Sequence, residues 1–280
     1  MSQNHPTSRA TTFRSLDGLR LEGTFVSSAM QASQAAVLVH GGGVTRDEGG
    51  FFSRLALGLA EGGIASLRFE FRAHGESEGR AEELTIAGIL NDIRVAMAHA
   101  DELAGTDSVN LIGTSFGGGI CAFFAACYPE RVRRLVLLNP LLNYKRRFID
   151  EKPYWEDDQI SEEAGRELSE QGFIAHSPSF KLGRALLNEV FYLQPHQAMK
   201  AVTTPTLIVH GTGDTFVPVD SSREYVGHIQ AEAELLEIEG AQHGFAVHDD
   251  PQYLNPQTKE WQALVIRTVV AWLTALPSPE

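Results

Sequence analysis

Three short segments hold residues whose types and spacing suit acyl transfer. The first is Gly113-Thr114-Ser115-Phe116-Gly117, set between the apolar run SVNLI and an apolar helical stretch. A serine lifted onto a strained strand-to-helix turn needs neighbours without side chains two positions to either side, because strand and helix pinch together there. A serine hydroxyl is a poor nucleophile at neutral pH, so it requires a base within hydrogen-bond reach and a further group to orient that base. Two later loops supply both. The run TLIVH leads into Gly211-Thr212-Gly213-Asp214, and ELLEIEG leads into Ala241-Gln242-His243. Singly, Ser115 reads as an incidental residue of a glycine-rich turn, Asp214 as a helix cap and His243 as a loop histidine. Together they follow in the order nucleophile, acid, base on successive strand ends, which favours the joint reading.

An oxyanion formed at this serine needs two N–H donors. The backbone of Phe116, one residue past the serine, is the first. The loop His40-Gly41-Gly42-Gly43 is expected to supply the second from Gly42, with Gly41 and Gly43 as its rivals. Among the competing groups, His248 beside Asp249 and Asp250 reads as part of a solvated turn. His40, His74 and His210 flank strand-end glycines and read as structural hydrogen-bonders, and Asp220 is the second choice for the acid.

These residues must be positioned by a sheet. Short unbroken apolar runs at 35–40, 64–71, 108–113, 133–139, 206–211 and 233–240 alternate with helical spacing near 51–61, 84–103, 116–127, 219–229 and 257–275. Strands apolar on both faces between helices predict a parallel sheet covered on both sides. Ahead of them, two alternating segments flank Asp17-Gly18 and predict an antiparallel hairpin. Residues 1–10 are polar and aperiodic and read as a disordered lead-in.

One interval breaks the rhythm. Residues 140–205 are several times longer than a normal crossover and predict a cap insertion into a core formed by 11–139 and 206–280. The insertion opens with a mixed-charge run from Lys145 to Glu163, read as a solvated helix face. Its aromatics, Tyr144, Tyr154, Trp155, Phe173, Phe180, Phe191 and Tyr192, either line a cavity or pack the insertion's own small core.

Composition narrows the partners. The chain has 280 residues, 43% of them hydrophobic, and a net charge of −13. An acidic surface repels nucleic acid and anionic membranes, so neither is expected as a partner. The opening residues lack the apolar stretch of a secretory signal, and no run long enough for a membrane span follows, which makes the cytoplasm the expected location. Cys121 and Cys127, six positions apart on one expected helix, are too distant for a disulfide and read as reduced and buried.

With these residues in place, the chain resembles the α/β-hydrolase superfamily, and within it the cinnamoyl or feruloyl esterase-like branch of intracellular carboxylesterases. The similarity spans roughly residues 13–275. It rests on the stretch His40 to Gly49 (HGGGVTRDEG), the stretch Ala65 to Gly79 (ASLRFEFRAHGESEG), the elbow at Ser115, and the segments around Asp214 and His243. The resemblance implies an α/β-hydrolase fold: a mostly parallel central sheet flanked by helices, with an inserted cap subdomain. It also implies Ser115 as nucleophile, His243 as base, Asp214 as its orienter, and Gly42 and Phe116 as oxyanion donors. A small-molecule acyl ester is the implied partner, with no metal or cofactor, and a homodimer is compatible with it.

The chain departs from the family at four positions. Glu70 and Ala73 stand where Asp and Gly are usual. Phe116 stands where Gln or Met is common, making the acyl side more apolar and crowded. Gly42 stands where Phe is frequent, which is expected to open the oxyanion loop. The same triad would also serve acyl thioester cleavage, acyl transfer, cyclisation or elimination, and a non-catalytic binding protein on this fold is the remaining alternative.

Overall fold

A computed structural model describes residues 6–28 and 32–275. Strands β1 (Ser8–Arg14) and β2 (Arg20–Val26) form the expected hairpin, and Gly18 takes the left-handed φ of +92° that its turn requires. Ser8, Arg9 and Ala10 belong to β1, pairing with Val26, Phe25 and Thr24, and Thr7 O accepts the Ser27 N–H at 2.9 Å, so the disorder expected over residues 1–10 does not hold for residues 7–10. An edge strand held by its backbone ladder and exposed along its first residues has little apolar signal to reveal it. Residues 1–5 of that lead-in lie outside the described residues.

The chain then alternates strand and helix: β3 (Gln34–Val39), α1 (Phe51–Glu61), β4 (Ile64–Phe69), α2 (Ile86–Ala104), β5 (Val109–Thr114), α3 (Ser115–Cys127) and β6 (Leu135–Leu138). Every residue of these four strands is buried, as runs apolar on both faces demand. Helix α2 starts where the Thr85 side chain accepts the Gly88 N–H at 2.9 Å, and ends at Gly105 in a left-handed cap. Cys121 is buried within α3, but Cys127, at the helix's last turn, is exposed, which corrects the expectation that both are buried.

After β6 comes the insertion. It contains a π-helical turn (Arg146–Asp150), a small hairpin of β7 (Trp155–Glu156) and β8 (Gln159–Ile160), helix α4 (Glu162–Gln171), a second hairpin of β9 (Phe173–Ser177) and β10 (Phe180–Gly183), and the short helices α5 (Arg184–Glu189) and α6 (Pro195–Ala198). The mixed-charge run is therefore not one helix face. Pro153 and the left-handed pair Asp157 and Asp158, at φ +47° and +63°, break it into turn, hairpin and helix. The core resumes with β11 (Thr206–Gly211), α7 (Asp220–Val226), β12 (Ala233–Ile238) and α8 (Pro256–Thr274).

The sheet has eight strands in the order β1-β2-β4-β3-β5-β6-β11-β12; the hairpin is antiparallel and the strands from β4 to β12 run parallel. One face packs on α2 and α3, the other on α1 and α8. Strand order reverses at β3, which lies between β4 and β5, and a crevice at such a switch point is where parallel sheets bind ligands. Val39 of β3 lies opposite Gly113 of β5, so the chain leaves both strands at one level.

A buried ion pair supports this end of the sheet. Asp92 of α2, fully buried, accepts from Arg72 N, Nε and Nη2 at 3.0, 2.9 and 2.8 Å. The exposed Asp17 holds the guanidinium from the other side at 2.8 and 3.0 Å. Removing one partner of a buried pair leaves an uncompensated charge, whereas a solvated partner contributes little. Asp92→Ala is expected to lower unfolding free energy by about 3–5 kcal/mol and Asp17→Ala by less than about 1 kcal/mol. Urea-denaturation midpoints of the two variants check this, and equal losses would refute it.

Candidate active site

Ser115 begins α3 directly from the end of β5, with φ +51°. A non-glycine residue held in the left-handed region costs of order 1–3 kcal/mol, and such strain is kept where the surroundings over-determine it. Here the constraint is close packing. A Cβ at Gly117 would lie 2.2 Å from the carbonyl oxygen of His40, so only glycine lets the first turn of α3 press against the end of β3. From the other side Leu141 N donates to Ser115 O at 2.9 Å, and the serine is 8% exposed.

Asp214 and His243 come from the loops after β11 and β12, neighbours in the sheet. His243 Nδ1 lies 2.7 Å from Asp214 Oδ2. The other carboxylate oxygen, Oδ1, accepts the N–H groups of Phe216 and Val217, both at 2.9 Å. Burial alone would raise the Asp214 pKa, but His210 at 3.6 Å, His243 and the Val217 N–H together hold it well below the usual carboxylate range. Asp214 is thus an anion fixed in orientation beside one imidazole nitrogen, leaving the other nitrogen of His243 for a reacting group. Among the described residues no hydrogen bond within 3.5 Å joins Ser115 Oγ to His243. Contacts of this kind often tighten only when substrate is bound.

Both rivals have other partners. Asp220 is exposed at the start of α7 and pairs with Arg223 at 3.1 Å, and His248 is exposed beside Asp249 at 2.9 Å. His210 is buried between Ser222 Oγ and Val217 O, at 2.7 and 2.8 Å, in the structural role its position suggested.

The loop after β3 is pinned at three points. Gly41 N donates to Glu48 Oε1 at 2.5 Å, Gly41 O meets His40 Nδ1 at 2.7 Å, and Gly43 N donates to His74 Nε2 at 3.0 Å. The amides of Gly41 and Gly43 are thereby occupied. Among the described residues no acceptor engages the Gly42 N–H, which separates it from its two rivals. Phe116 N–H belongs to the first turn of α3, where helix amides have no intrahelical partner.

Gly42 does not open the loop as its sequence suggested. A Cβ there would stand 2.9 Å from the Phe180 ring, so an aromatic side chain from β10 of the insertion occupies the space next to it. Phe180 continues an aromatic wall: its ring centroid is 5.1 Å from that of Phe116, which packs on Tyr144 at 5.0 Å and Phe148 at 6.0 Å. The expectation of a crowded, apolar surface around Phe116 holds. Of the insertion's aromatics, Tyr144 and Phe180 are buried in the core cluster that includes Phe116, Trp155 packs on Phe191 at 5.9 Å, and Tyr192, 84% exposed, takes neither role foreseen for it. On the opposite side Phe216 lies 5.0 Å from the His243 ring and borders a cavity of about 370 Å³ shared with Leu141, Leu142, Arg147 and Val217.

Sequence reasoning missed Glu48, Phe148 and Phe216. Glu48 lay inside the quoted HGGGVTRDEG stretch, but its contact with Gly41 depends on a loop that folds back on itself through left-handed residues Glu48, Gly49 and Gly50. Burial pushes its carboxyl up to about 7, against the opposing effects of the Gly41 N–H and His243.

The chain belongs to the α/β-hydrolase fold family, whose sequence model matches residues 35–175, about half of its length. It is 24% identical to a monoacylglycerol lipase of Mycolicibacterium smegmatis over 94% of this chain and 96% of that one. It is 27% identical to a 2-hydroxy-6-oxononadienedioate/2-hydroxy-6-oxononatrienedioate hydrolase of Klebsiella pneumoniae, over 77% and 84% of the two chains. Among solved structures, Est1E of Butyrivibrio proteoclasticus with ferulic acid bound superposes with a TM-score of 0.74 at 20% identity, covering 92% of this chain and 99% of that one. The family match and the lipase and hydrolase relatives support a hydrolytic function, and the likeness to Est1E shows the fold. No helix among the described residues is long and apolar enough to cross a membrane.

The pinning residues make stability depend on pH. Burial pushes His74 down to about 4, against the weaker opposing effect of its bond to Arg72 O. The unfolded chain, with an ordinary histidine near 6.5, therefore binds the proton first. The His74 contribution is complete above about pH 6.5 and is lost, by about 3 kcal/mol, as pH falls toward 4. Glu48 acts oppositely: its raised pKa removes stability as pH rises from 4.5 to about 7. Comparing wild type with His74→Gln, which keeps an acceptor for Gly43, isolates the histidine. The variant is expected to lose less stability between pH 6.5 and 4.5 in urea titrations, and parallel curves would refute it.

Proposed function

We propose that this chain is a carboxylesterase-type serine hydrolase that cleaves esters of small acyl groups, aromatic ones included, through an acyl-enzyme. The observation that carries the reading is the oriented Asp214–His243 pair, at 2.7 Å, on the same sheet edge as the strained Ser115 and the unengaged Gly42 amide. In this mechanism His243 removes the Ser115 proton as Oγ attacks the acyl carbonyl. The oxyanion is held by Gly42 and Phe116 N–H, and His243 then protonates the departing alcohol. Water, deprotonated by His243, releases the acid and restores the serine. Asp214 keeps Nδ1 protonated and stabilises the imidazolium that forms twice in the cycle.

Phe180, the ring beside Gly42, makes the neighbourhood of the proposed oxyanion loop apolar, which favours an apolar or aromatic acyl group there. The names of the monoacylglycerol lipase relative and of the structure with ferulic acid bound agree with ester chemistry in this fold.

Ser115→Ala is expected to abolish labelling by a fluorophosphonate and to lower turnover of short p-nitrophenyl and methyl hydroxycinnamate esters by at least about 10³-fold. Asp214→Asn should lower kcat by about 10⁴-fold. Wild-type protein that is neither labelled nor active, or a Ser115→Ala variant that keeps its turnover, would overturn the reading.

Glu48 gives a separate check, since it orients the peptide that presents Gly42. Glu48→Ala should lower kcat by about tenfold with little change in KM, a fraction of the 10²–10³ that loss of an oxyanion donor costs. Glu48→Gln, which retains an acceptor for Gly41, should keep most of the rate. Equal losses in both variants would assign the carboxyl a different role.

A further inference from the structure

The mixed-charge run of the insertion sorts itself into ion pairs that leave two cations over. Lys145 Nζ lies 2.7 Å from both Asp150 and Asp158, and Arg146 Nε lies 2.9 Å from Glu151. The next two basic residues do not share in this. Arg147 reaches only the second oxygen of Glu151, at 3.9 Å, and among the described residues no ion pair engages Lys152. Arg147 Nε is also buried without a hydrogen-bond partner, as is His176 Nδ1 on β9. A buried donor without an acceptor costs about 1–3 kcal/mol, so a fold that keeps two in one place calls for an explanation.

Arg147 adjoins Phe148 in the chain, the His176 ring packs on Phe148 at 5.1 Å, and Lys152 closes the same turn, its N–H donating to Ile149 O at 3.0 Å. Burial lowers the Lys152 pKa, and the Arg147 charge lowers it further. His176 is pushed down to about 4 by burial and then by Lys152 and Arg147, so at neutral pH it is an uncharged imidazole with a hydrogen to donate. Two cations this close, with one marginal counterion at 3.9 Å, are the environment an anion relieves.

The cluster spans the candidate active site. Arg147 stacks its guanidinium 4.3 Å above the Phe216 ring, and Phe216 lies 5.0 Å from His243. On the other side His176 packs edge-on against Phe148 at 5.1 Å and Phe180 at 6.0 Å, and Phe180 is the ring beside Gly42. One end of the cluster is therefore a single ring from the base, and the other a single ring from the oxyanion loop.

The geometry points to a carboxylate-binding subsite formed by Arg147, Lys152 and His176, so that the substrate is an ester carrying a free carboxylate at the end remote from the scissile carbonyl. The subsite rests on the proposed reading of Ser115 and His243 as the reacting centre. A guanidinium supplies the planar fork that fits a carboxylate, and Lys152 adds a point charge. Phe216, the exposed ring between Arg147 and His243 that borders the cavity, suits an apolar spacer. Of the carboxylates nearby, Asp150, Asp158 and Glu151 are held by Lys145 and Arg146, and Asp220 by Arg223, which leaves Glu224 as the one acid lining the Arg147 cavity with no ion pair among the described residues.

Binding to Ser115→Ala protein, which does not depend on turnover, tests the subsite. Calorimetry is expected to show monomethyl adipate binding at least tenfold more tightly than methyl hexanoate, its neutral counterpart of similar length. Adding Arg147→Gln, or Lys152→Met, should bring the two affinities to within about twofold, whereas Arg147→Lys should retain part of the difference. In the Ser115 protein, the ratio of kcat/KM for p-nitrophenyl adipate half-ester over p-nitrophenyl hexanoate should collapse in the same variants. Equal binding of the charged and neutral esters, or a preference that survives both Arg147→Gln and Lys152→Met, would overturn the subsite. Selective binding without any ester turnover would uphold the subsite and overturn the esterase reading instead.

Discussion

The contact between the first turn of α3 and the end of β3 is the constraint on which the rest of the site depends. Gly117 brings helix backbone against the His40 carbonyl, at a distance no side chain would permit. That approach holds Ser115 in its left-handed conformation and sets it beside the loop that presents Gly42. Because β3 and β5 are paired with Val39 opposite Gly113, serine and loop leave the sheet at the same height. The strain at the serine is thus imposed by sheet register and helix packing, both supported by the buried core.

Around this contact the protein uses neutral groups where solvent would favour charged ones. His40, stacked on Phe71 at 4.0 Å, and His74 are both driven toward the uncharged form by burial, and each holds one part of the loop. Glu48 is driven toward its acid form beside them. Asp214, by contrast, is held firmly ionised, by donors aimed at both of its oxygens. In a region of low dielectric this directs a strong negative charge at His243.

The insertion shapes the space above. Phe180 fills the volume next to Gly42 and Phe148 closes the wall behind Phe116, while Arg147 and Phe216 border the opposite side. Its elements are short and joined by turns, and their positions come from docking on the core: Gly183 lies so near the Glu82 carbonyl that a Cβ there would be 1.9 Å from it. Substrate selection on this fold depends on such packing, since the triad proposed for this chain would serve many leaving groups equally.

Much of the fold was legible because its signals are local. Six apolar runs, five helical stretches and the Asp17-Gly18 turn matched strands, helices and hairpin to within a few residues, since burial on both faces of a parallel sheet leaves an unmistakable composition. The placement of Ser115, Asp214 and His243 was legible for a related reason, each lying just past a strand end in a glycine-marked loop. The start of β1 was not, because a backbone ladder carries no side-chain signature. Nor could spacing tell that Phe180 stands where Gly42 seemed to leave a gap, that Glu48 occupies the Gly41 amide, or that Lys145 and Arg146 take the nearby carboxylates while Arg147 and Lys152 are left over. Sequence by itself determined the element order and the residues available for chemistry. Tertiary structure decided which amide is free, which charges are paired and which rings meet, because those contacts join residues far apart in the chain and depend on angles and distances that no local pattern encodes.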